Sequence, residues 1–495
     1  MDLRGKKIAV VGIGESGKAA SLLLKQKGAE VYATDAGDPQ KLKAVARELK
    51  DAGVFVETGG HTEDFIKGAQ LVVVSPGVKD DSRAITIAEA DSIPVVSEIE
   101  LASSFCKAPI TAVTGTNGKT TIVTLIGLML KQSGINISVC GNIGDAFCGE
   151  ITDMTKREAV VLEASSFQLK RIRDFRPKVS AITNITQNHF DWHPDIEDYL
   201  GSKKNIFKNQ GKDDFVVLNY DDPNLKGLKD EIDARVYFFS MDSKVEGCYL
   251  DEEKLILNMD GKELTVCRAD DIMLKGSHNI ANILCACLCA YLSGAKLDAI
   301  KEAACAFKGL KHRFQDIAAI DGVRFIDDSK ATTVDACRAA LSSCEGNVIL
   351  IAGGRDKGSD FSAIRGLIAE KVKAVVLIGE AKDKIKKALK GAADIYDASC
   401  MEEAASTAGT LAGGKGIVLL SPMCASFDMY SSYKERGEAF CTAVDGLKKE
   451  TGERTPNSPS RNLPSVASAK EGSGPLAEGS RANARGKLQT PNLKQ

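Results

Sequence analysis

The chain has 495 residues, of which 43% are hydrophobic and 27% charged, an ordinary composition for a soluble globular protein with room for two to four domains. Its 65 Lys and Arg against 67 Asp and Glu leave a net charge of -2. The basic surplus of a general nucleic-acid binder is therefore missing, although small anionic ligands need only local basic patches.

Met1-Asp2-Leu3-Arg4-Gly5-Lys6-Lys7 leads directly into the strand-like Ile8-Ala9-Val10-Val11, without the apolar core and small-residue cleavage site of a signal peptide. No apolar run reaches the roughly 18 residues of a membrane span, so an intracellular, cytoplasmic protein is expected. A Gly-rich turn after Gly12 leads to a helix through Ala19, Leu22, Leu23 and Leu24. A second strand, Val31-Tyr32-Ala33-Thr34, ends at Asp35, and a third, Leu71-Val72-Val73-Val74, ends in Ser75-Pro76-Gly77. A new strand, turn and helix begin at Pro109. Further strands are read at Ala159-Val160-Val161-Leu162 and Phe215-Val216-Val217-Leu218, and short antiparallel strands over 250–266 with a turn at Asp260-Gly261.

A helix follows His278. It carries Cys285, Cys287 and Cys289 at i, i+2 and i+4, and none of the fourteen cysteines forms a CxxC pair, so small reduced core residues are expected rather than a zinc site or disulfides. The last strands are Val348-Ile349-Leu350-Ile351, Ala374-Val375-Val376-Leu377-Ile378 and Gly416-Ile417-Val418-Leu419-Leu420. Alternation of apolar strands with helical patterns predicts α/β layers with parallel sheets. Residues 451–495 are rich in Ser, Pro, Asn, Gly, Lys and Arg and are expected to be a disordered tail.

Two Gly-rich turns carry chemistry. Gly12-Ile13-Gly14-Glu15-Ser16-Gly17 is a G-x-G-x-x-G between strand and helix, with Asp35 placed about 20 residues on as a ribose-binding acid. Alone it suggests a NAD-dependent oxidoreductase, or a tight turn that binds nothing. Thr114-Gly115-Thr116-Asn117-Gly118-Lys119-Thr120-Thr121 follows a strand and precedes an apolar helix. Its backbone N–H groups can cradle phosphates, Lys119 adds a point charge, and the Thr120 hydroxyl can ligate Mg²⁺. Only Thr116 and Asn117 lie between its glycines, where the general phosphate loop has four residues. A triphosphate site beside a dinucleotide-like domain suits a ligase that uses ATP and a nucleotide-linked substrate. A non-catalytic nucleotide-binding regulator would lack the metal-binding acids.

The shortened loop resembles the ATP-binding motif of the Mur ligase family. Glu163-Ala164-Ser165-Ser166-Phe167-Gln168-Leu169, Asn184-Ile185-Thr186-Gln187-Asn188-His189-Phe190-Asp191, Ser277-His278-Asn279-Ile280-Ala281-Asn282, His312-Arg313-Phe314 and Asp327-Asp328-Ser329-Lys330-Ala331-Thr332 are similar to its later motifs, in family order. The resemblance spans about residues 5 to 445. Ser75-Pro76-Gly77, Ser421-Pro422-Met423-Cys424-Ala425-Ser426-Phe427-Asp428 and Arg436-Gly437 resemble the branch that adds D-glutamate to a UDP-linked muramoyl-alanine. The basic residue that some members place after the acid is absent from Asp35-Ala36-Gly37.

The resemblance implies three domains: a Rossmann-like UDP-substrate domain (1–98), a central P-loop ATPase-type domain (99–307) and a C-terminal Rossmann-like amino-acid domain (308–450). It implies a monomer that uses ATP and Mg²⁺ to activate the alanine carboxylate as an acyl phosphate, which the D-glutamate amine attacks. Gly115, Thr116, Asn117, Gly118, Lys119, Thr120, Thr121, Asn282, Arg313 and Asp328 would hold ATP. Thr120, Glu163, His189 and Lys203 would hold metal. Lys203 would serve as a carbamate, its alternative being an ordinary cation. Gly14, Ser16, Asp35, Ser75, Gly77 and Asn142 would meet the nucleotide-linked substrate. Lys330, Thr332, Lys357, Ser426 and Tyr433 would meet the amino acid, with an aromatic core role as the alternative for Tyr433. Lys119, Glu163, His189 and Lys203 form the implied catalytic set.

Overall fold

Runs such as Leu71-Val72-Val73-Val74 and Val348-Ile349-Leu350-Ile351 are apolar at every position because their strands are buried on both faces, as a helix-covered parallel sheet requires. The computed structural model describes residues 2–142, 145–151, 158–186, 195–274, 276–356 and 358–452. The first sheet contains β1 (Lys7–Val11), β2 (Glu30–Asp35), β3 (Phe55–Thr58), β4 (Leu71–Val74) and β5 (Val95–Ser97), all parallel, in the order β3-β2-β1-β4-β5. The strand order reverses between β1 and β4, which opens a crevice at their carboxyl ends.

The second sheet contains β6 (Ile110–Thr114), β7 (Ile137–Gly141), β8 (Ala159–Glu163), β9 (Val179–Ile182), β10 (Phe215–Asn219), β11 (Arg235–Ser240), β12 (Gly247–Asp251), β13 (Lys254–Met259) and β14 (Lys262–Arg268). Their order is β14-β13-β12-β11-β10-β9-β6-β8-β7, antiparallel only along β12-β13-β14, where the turn falls at Asp260-Gly261. The third contains β15 (Gln315–Ile320), β16 (Val323–Asp327), β17 (Val348–Gly353), β18 (Val372–Ile378), β19 (Asp394–Asp397) and β20 (Gly416–Leu420), in the order β15-β16-β20-β17-β18-β19, antiparallel only at β15-β16. Each of the three predicted α/β stretches thus carries its own mainly parallel sheet.

One apolar cluster runs from Leu23, Leu24 and Val31 through Phe147 and Cys148 to Leu162 and Phe175, so the first two sheets share a core. Helix Ser277–Leu292 packs on helix Lys119–Gln132 and buries Cys285, Cys287 and Cys289 completely; all fourteen cysteines are free thiols. By contacts the chain divides into Met1–Val444, which holds all three sheets, and Asp445–Gln495, in which Lys448 pairs with Asp445 at 2.7 Å. The expectation for the tail falls, from residue 453 onward, outside the described residues. Among the described residues no helix is long and apolar enough to cross a membrane.

Candidate active site

Strand β6 ends at Thr114, and the chain turns through Gly115 (φ +141°) and Gly118 (φ +84°) into helix Lys119–Gln132. A Cβ on Gly115 would lie 1.9 Å from Thr183 Oγ1, and one on Gly118 2.2 Å from Asn282 Oδ1, so both space and backbone angle demand glycine. The two intervening residues are tied to the segment after β9. Thr116 N–H donates to Asn184 O at 2.9 Å, Asn117 N–H to Asn184 Oδ1 at 2.9 Å, and the Thr183 hydroxyl to Asn117 O at 2.7 Å. The turn fixes the free N–H groups and positive dipole end of a 14-residue helix, an arrangement suited to phosphate.

Glu163 ends β8 beside this turn and is buried. Its Oε2 accepts from the Thr120 hydroxyl at 2.8 Å and its Oε1 from Asn142 Nδ2 at 2.9 Å. Lys119 Nζ lies against the carbonyls of Gly115 (2.9 Å) and Thr116 (2.8 Å). Burial, joined by the Arg313 charge, lowers its pKa against the pull of Glu163. Lys203, in helix Ile196–Lys204, is 1% exposed, donates to Gly115 O at 2.9 Å, and sits 4.4 Å from the centre of the Tyr199 ring. Burial and the Lys119 charge push its amine well below the ordinary lysine value.

The third sheet supplies the far wall. His312 (φ +63°) and Phe314 (φ +42°) are both left-handed, and each is anchored: His312 Nδ1 to Asp327 Oδ2 at 2.6 Å, Phe314 N–H to Asp328 Oδ1 at 3.2 Å. Between them Arg313 reaches across to donate to Thr120 Oγ1. Asp328, past the end of β16, also accepts from the Ser421 hydroxyl at 3.0 Å, and burial pushes its pKa up to about 7. Burial and the Arg313 charge bring Lys330 down to about 8; its Nζ lies 5.2 Å from the Tyr433 ring centre.

Two hollows meet here. A cavity of about 920 Å³ runs from Gly14, Ser16, Asp35, Ser75 and Gly77 on the first sheet past Asn142 and Gln168 to Lys330, Tyr433 and Lys434. A cleft of about 330 Å³ is lined by Asn117, Gly118, Thr121, Asn282, Arg313, Asp328 and, again, Lys330. The predicted residues from all three sheets therefore converge, with exceptions. Thr332 and Ser426 line neither hollow; nor do Gly115, Thr116, Lys119, Thr120, Glu163 and Lys203, which cluster at the turn itself through the bonds given above, and His189 and Lys357 lie outside the described residues. The carboxylate of Asp35 lines the cavity while holding the glycine turn: Oδ2 accepts from Ile13 N–H at 2.8 Å and Oδ1 from Gly37 N–H at 2.7 Å. Sequence reasoning missed His61 and Lys434 as lining residues, and had Gln168 and His278 only as parts of motifs. An isolated His or Lys in a polar loop carries no local signal.

The loop, the buried acid and lysine, and an arginine supplied from another sheet define a phosphate-loop enzyme assembled from three α/β parts. Residues 6–97 match the Mur ligase MurD-like N-terminal domain, 113–290 the Mur ligase middle domain and 312–424 the Mur ligase glutamate ligase domain. The chain belongs to the Mur ligase family. It is 41% identical over 454 residues to the UDP-N-acetylmuramoylalanine–D-glutamate ligase of Caldanaerobacter subterraneus subsp. tengcongensis, covering 91% of this chain and 100% of that one. It is also 41% identical over 448 residues to the ligase of the same name from Geotalea daltonii, covering 90% and 99%. Among solved structures, a pseudomurein peptide ligase type C from Methanothermus fervidus superposes with TM-score 0.55 at 19% identity, covering 90% of this chain and 100% of that one. UDP-N-acetylmuramate-alanine ligase from Thermotoga maritima gives 0.54 at 20%, covering 89% and 100%. At such identities the structures testify to a shared fold.

Proposed function

We propose that this enzyme joins D-glutamate to UDP-N-acetylmuramoyl-L-alanine at the expense of ATP, with Mg²⁺, in the synthesis of cell-wall peptidoglycan precursors. The observation that carries the reading is the position of Lys330, which lines both the large cavity and the phosphate-loop cleft, so two ligands can meet there. The names of the relatives that match nearly the whole chain supply the substrates.

In this reading the nucleotide-linked substrate lies along the large cavity with its alanine carboxylate beside Asn142 and Lys330, while ATP lies in the cleft. Lys119 and the N–H groups of residues 118–121, at the start of the helix, hold the β- and γ-phosphates. Arg313 comes from the third sheet to the same phosphates, and Asn282 and Asp328 line the nucleoside side. A carboxylate oxygen attacks the γ-phosphorus, ADP leaves, and an acyl phosphate forms. The D-glutamate amine then attacks the acyl carbon and the tetrahedral adduct expels phosphate. Positioning and neutralisation of phosphate charge supply the catalysis.

Thr120 Oγ1 and Glu163 Oε2, 2.8 Å apart and buried, are oxygen donors suited to a hard cation; Thr120, Glu163, His189 and a carbamate on Lys203 would hold Mg²⁺. When bound, it neutralises charge on the phosphates. Lys330, Thr332, Lys357, Ser426 and Tyr433 are assigned to D-glutamate, with Lys434 as a further cation at that end. The enzyme acts as a monomer in the cytoplasm, where its nucleotide substrates are. Phosphate release should require ATP, Mg²⁺, UDP-N-acetylmuramoyl-L-alanine and D-glutamate together. Equal turnover with L-glutamate or a dibasic amino acid, or hydride transfer with NAD, would overturn the reading.

A further inference from the structure

On the third sheet the ring of His312 is held from several sides. Its backbone is left-handed at φ +63°, and its N–H donates to Gln315 Oε1 at 3.0 Å. The helix that begins at Tyr433 presses on it so closely at Gly437 that a Cβ there would lie 2.1 Å from His312 Nδ1.

The fully buried carboxylate of Asp327 gathers what surrounds this ring. Its Oδ1 accepts from Ser329 N–H at 2.9 Å. Its Oδ2 accepts from His312 Nδ1 at 2.6 Å and from the Cys441 thiol at 3.6 Å. A ring nitrogen, a carboxylate oxygen and a sulfur thus lie within 4.8 Å of one another, each aimed at the same point. Cys441 is only part-buried, unlike Cys285, Cys287 and Cys289, which gives the cluster a way in from solvent. The Arg436 guanidinium nearby is turned aside, to Ser329 and to the Cys424 carbonyl.

We propose that His312, Asp327 and Cys441 form a binding site for a Zn²⁺-class ion, distinct from the Mg²⁺ position at the phosphate loop. Mixed nitrogen, oxygen and sulfur donors suit such a borderline ion, whereas Mg²⁺ prefers oxygen. Donors on a tetrahedral zinc stand roughly 3.3–3.5 Å apart. The oxygen–sulfur spacing of 3.6 Å already matches, and the nitrogen–oxygen gap of 2.6 Å opens by about 0.7 Å when the proton between them leaves. The thiol proton goes to solvent. The ring proton moves from Nδ1 to Nε2, where Glu438 Oε1 stands 3.5 Å away to receive it. One carboxylate and one thiolate then neutralise the ion, as a buried position requires, and water completes the four ligands. His312 and Asp327 directly precede Arg313 and Asp328 of the phosphate-loop cleft, so a bound ion ties the floor of that cleft to the last helix.

Titration of the full, reduced, metal-free chain with Co²⁺, a zinc stand-in whose spectrum reports its ligands, tests the site without turnover. Thiolate-to-metal charge transfer and the strong visible bands of four-coordinate cobalt should appear at one ion per chain, and Zn²⁺ should discharge both. Cobalt held by oxygen at the phosphate loop gives no charge-transfer band. Cys441→Ser should abolish that band, and Cys441→Ser and Asp327→Asn should each weaken Zn²⁺ binding, read by competition with a chromogenic chelator, by at least about tenfold. In wild type, Zn²⁺ should slow alkylation of Cys441, followed by peptide mass mapping, by a similar factor. Absence of the band, its persistence in folded Cys441→Ser, or alkylation of Cys441 indifferent to Zn²⁺ overturns the proposal. Unchanged Zn²⁺ affinity in Asp327→Asn overturns the three-ligand arrangement. Each of these leaves the functional reading standing, because none of the three side chains is assigned a part in the reaction.

Discussion

Lys203 is buried beside another lysine, a poor setting for an ammonium. Its amine is pushed well below the ordinary lysine range by burial and by Lys119, and a neutral amine can add CO₂, releasing a proton to become a carbamate. That change would replace a cation with an oxygen ligand close enough to Glu163 to feel its charge. Lys203→Ala should abolish most phosphate release, and a small added carboxylate should restore part of it; rescue by amines instead would mean that the residue acts as a cation. Lys204, one step along the helix, turns outward and pairs with Glu231, so Lys204→Ala should change little. In the proposed mechanism Lys119 is a charge clamp on the transferring phosphoryl group, which Lys119→Ala would remove. A fall of about 10²–10³ in turnover is expected, or roughly 3 kcal/mol of transition-state stabilisation, with near-normal turnover arguing against the assignment.

The short helix Glu98–Ser103 begins with an acid buried at 1% exposure, whose one oxygen accepts from Cys148 N–H while the other has no partner among the described residues. Burial raises the Glu98 pKa from 4.5 to about 7, with the Cys148 bond opposing. Below pH 4.5 both the folded and unfolded states hold the proton, and the group contributes nothing. Between pH 4.5 and 7 the folded state retains a proton that the unfolded chain has lost, so stability falls as pH rises, and above 7 the full penalty stands. Glu98→Gln should therefore be more stable than wild type at pH 8, by up to about 3 kcal/mol, and should lose that advantage near pH 4.5. Denaturant melts at the two pH values decide it; a constant difference would mean that titration is not the cause. The phosphate-loop turn is equally specific. Gly118→Ala places a methyl against Asn282 in a left-handed backbone and should weaken ATP binding more than it lowers the melting temperature.

At the scale of the whole molecule, the three sheets point the carboxyl ends of β1, β4, β6, β8 and β16 into connected hollows, and Arg313 bridges the third sheet to the loop of the second. Arg313→Ala should raise the ATP concentration needed for half-maximal phosphate release at least tenfold, with little change in the melt. A large loss of stability with unchanged ATP dependence would make the bridge structural. Much of this was legible in the sequence. Strands buried on both faces announce themselves as apolar runs, and the phosphate loop is a local spacing. Edge strands such as Phe55–Thr58 and Asp394–Asp397 were not read, because a half-exposed strand of four residues carries little periodicity. The sequence by itself determined the α/β layering, the loop glycines and the family motifs, since each depends on neighbours within one strand-turn-helix unit. Only the tertiary structure decided that Thr120 meets both Glu163 and Arg313, that Thr332 and Ser426 stand back from the hollows, and that His61 lines the large cavity along with Asp35. Such contacts join residues tens to hundreds of positions apart, and strand order and register, which set them, leave no mark in local spacing.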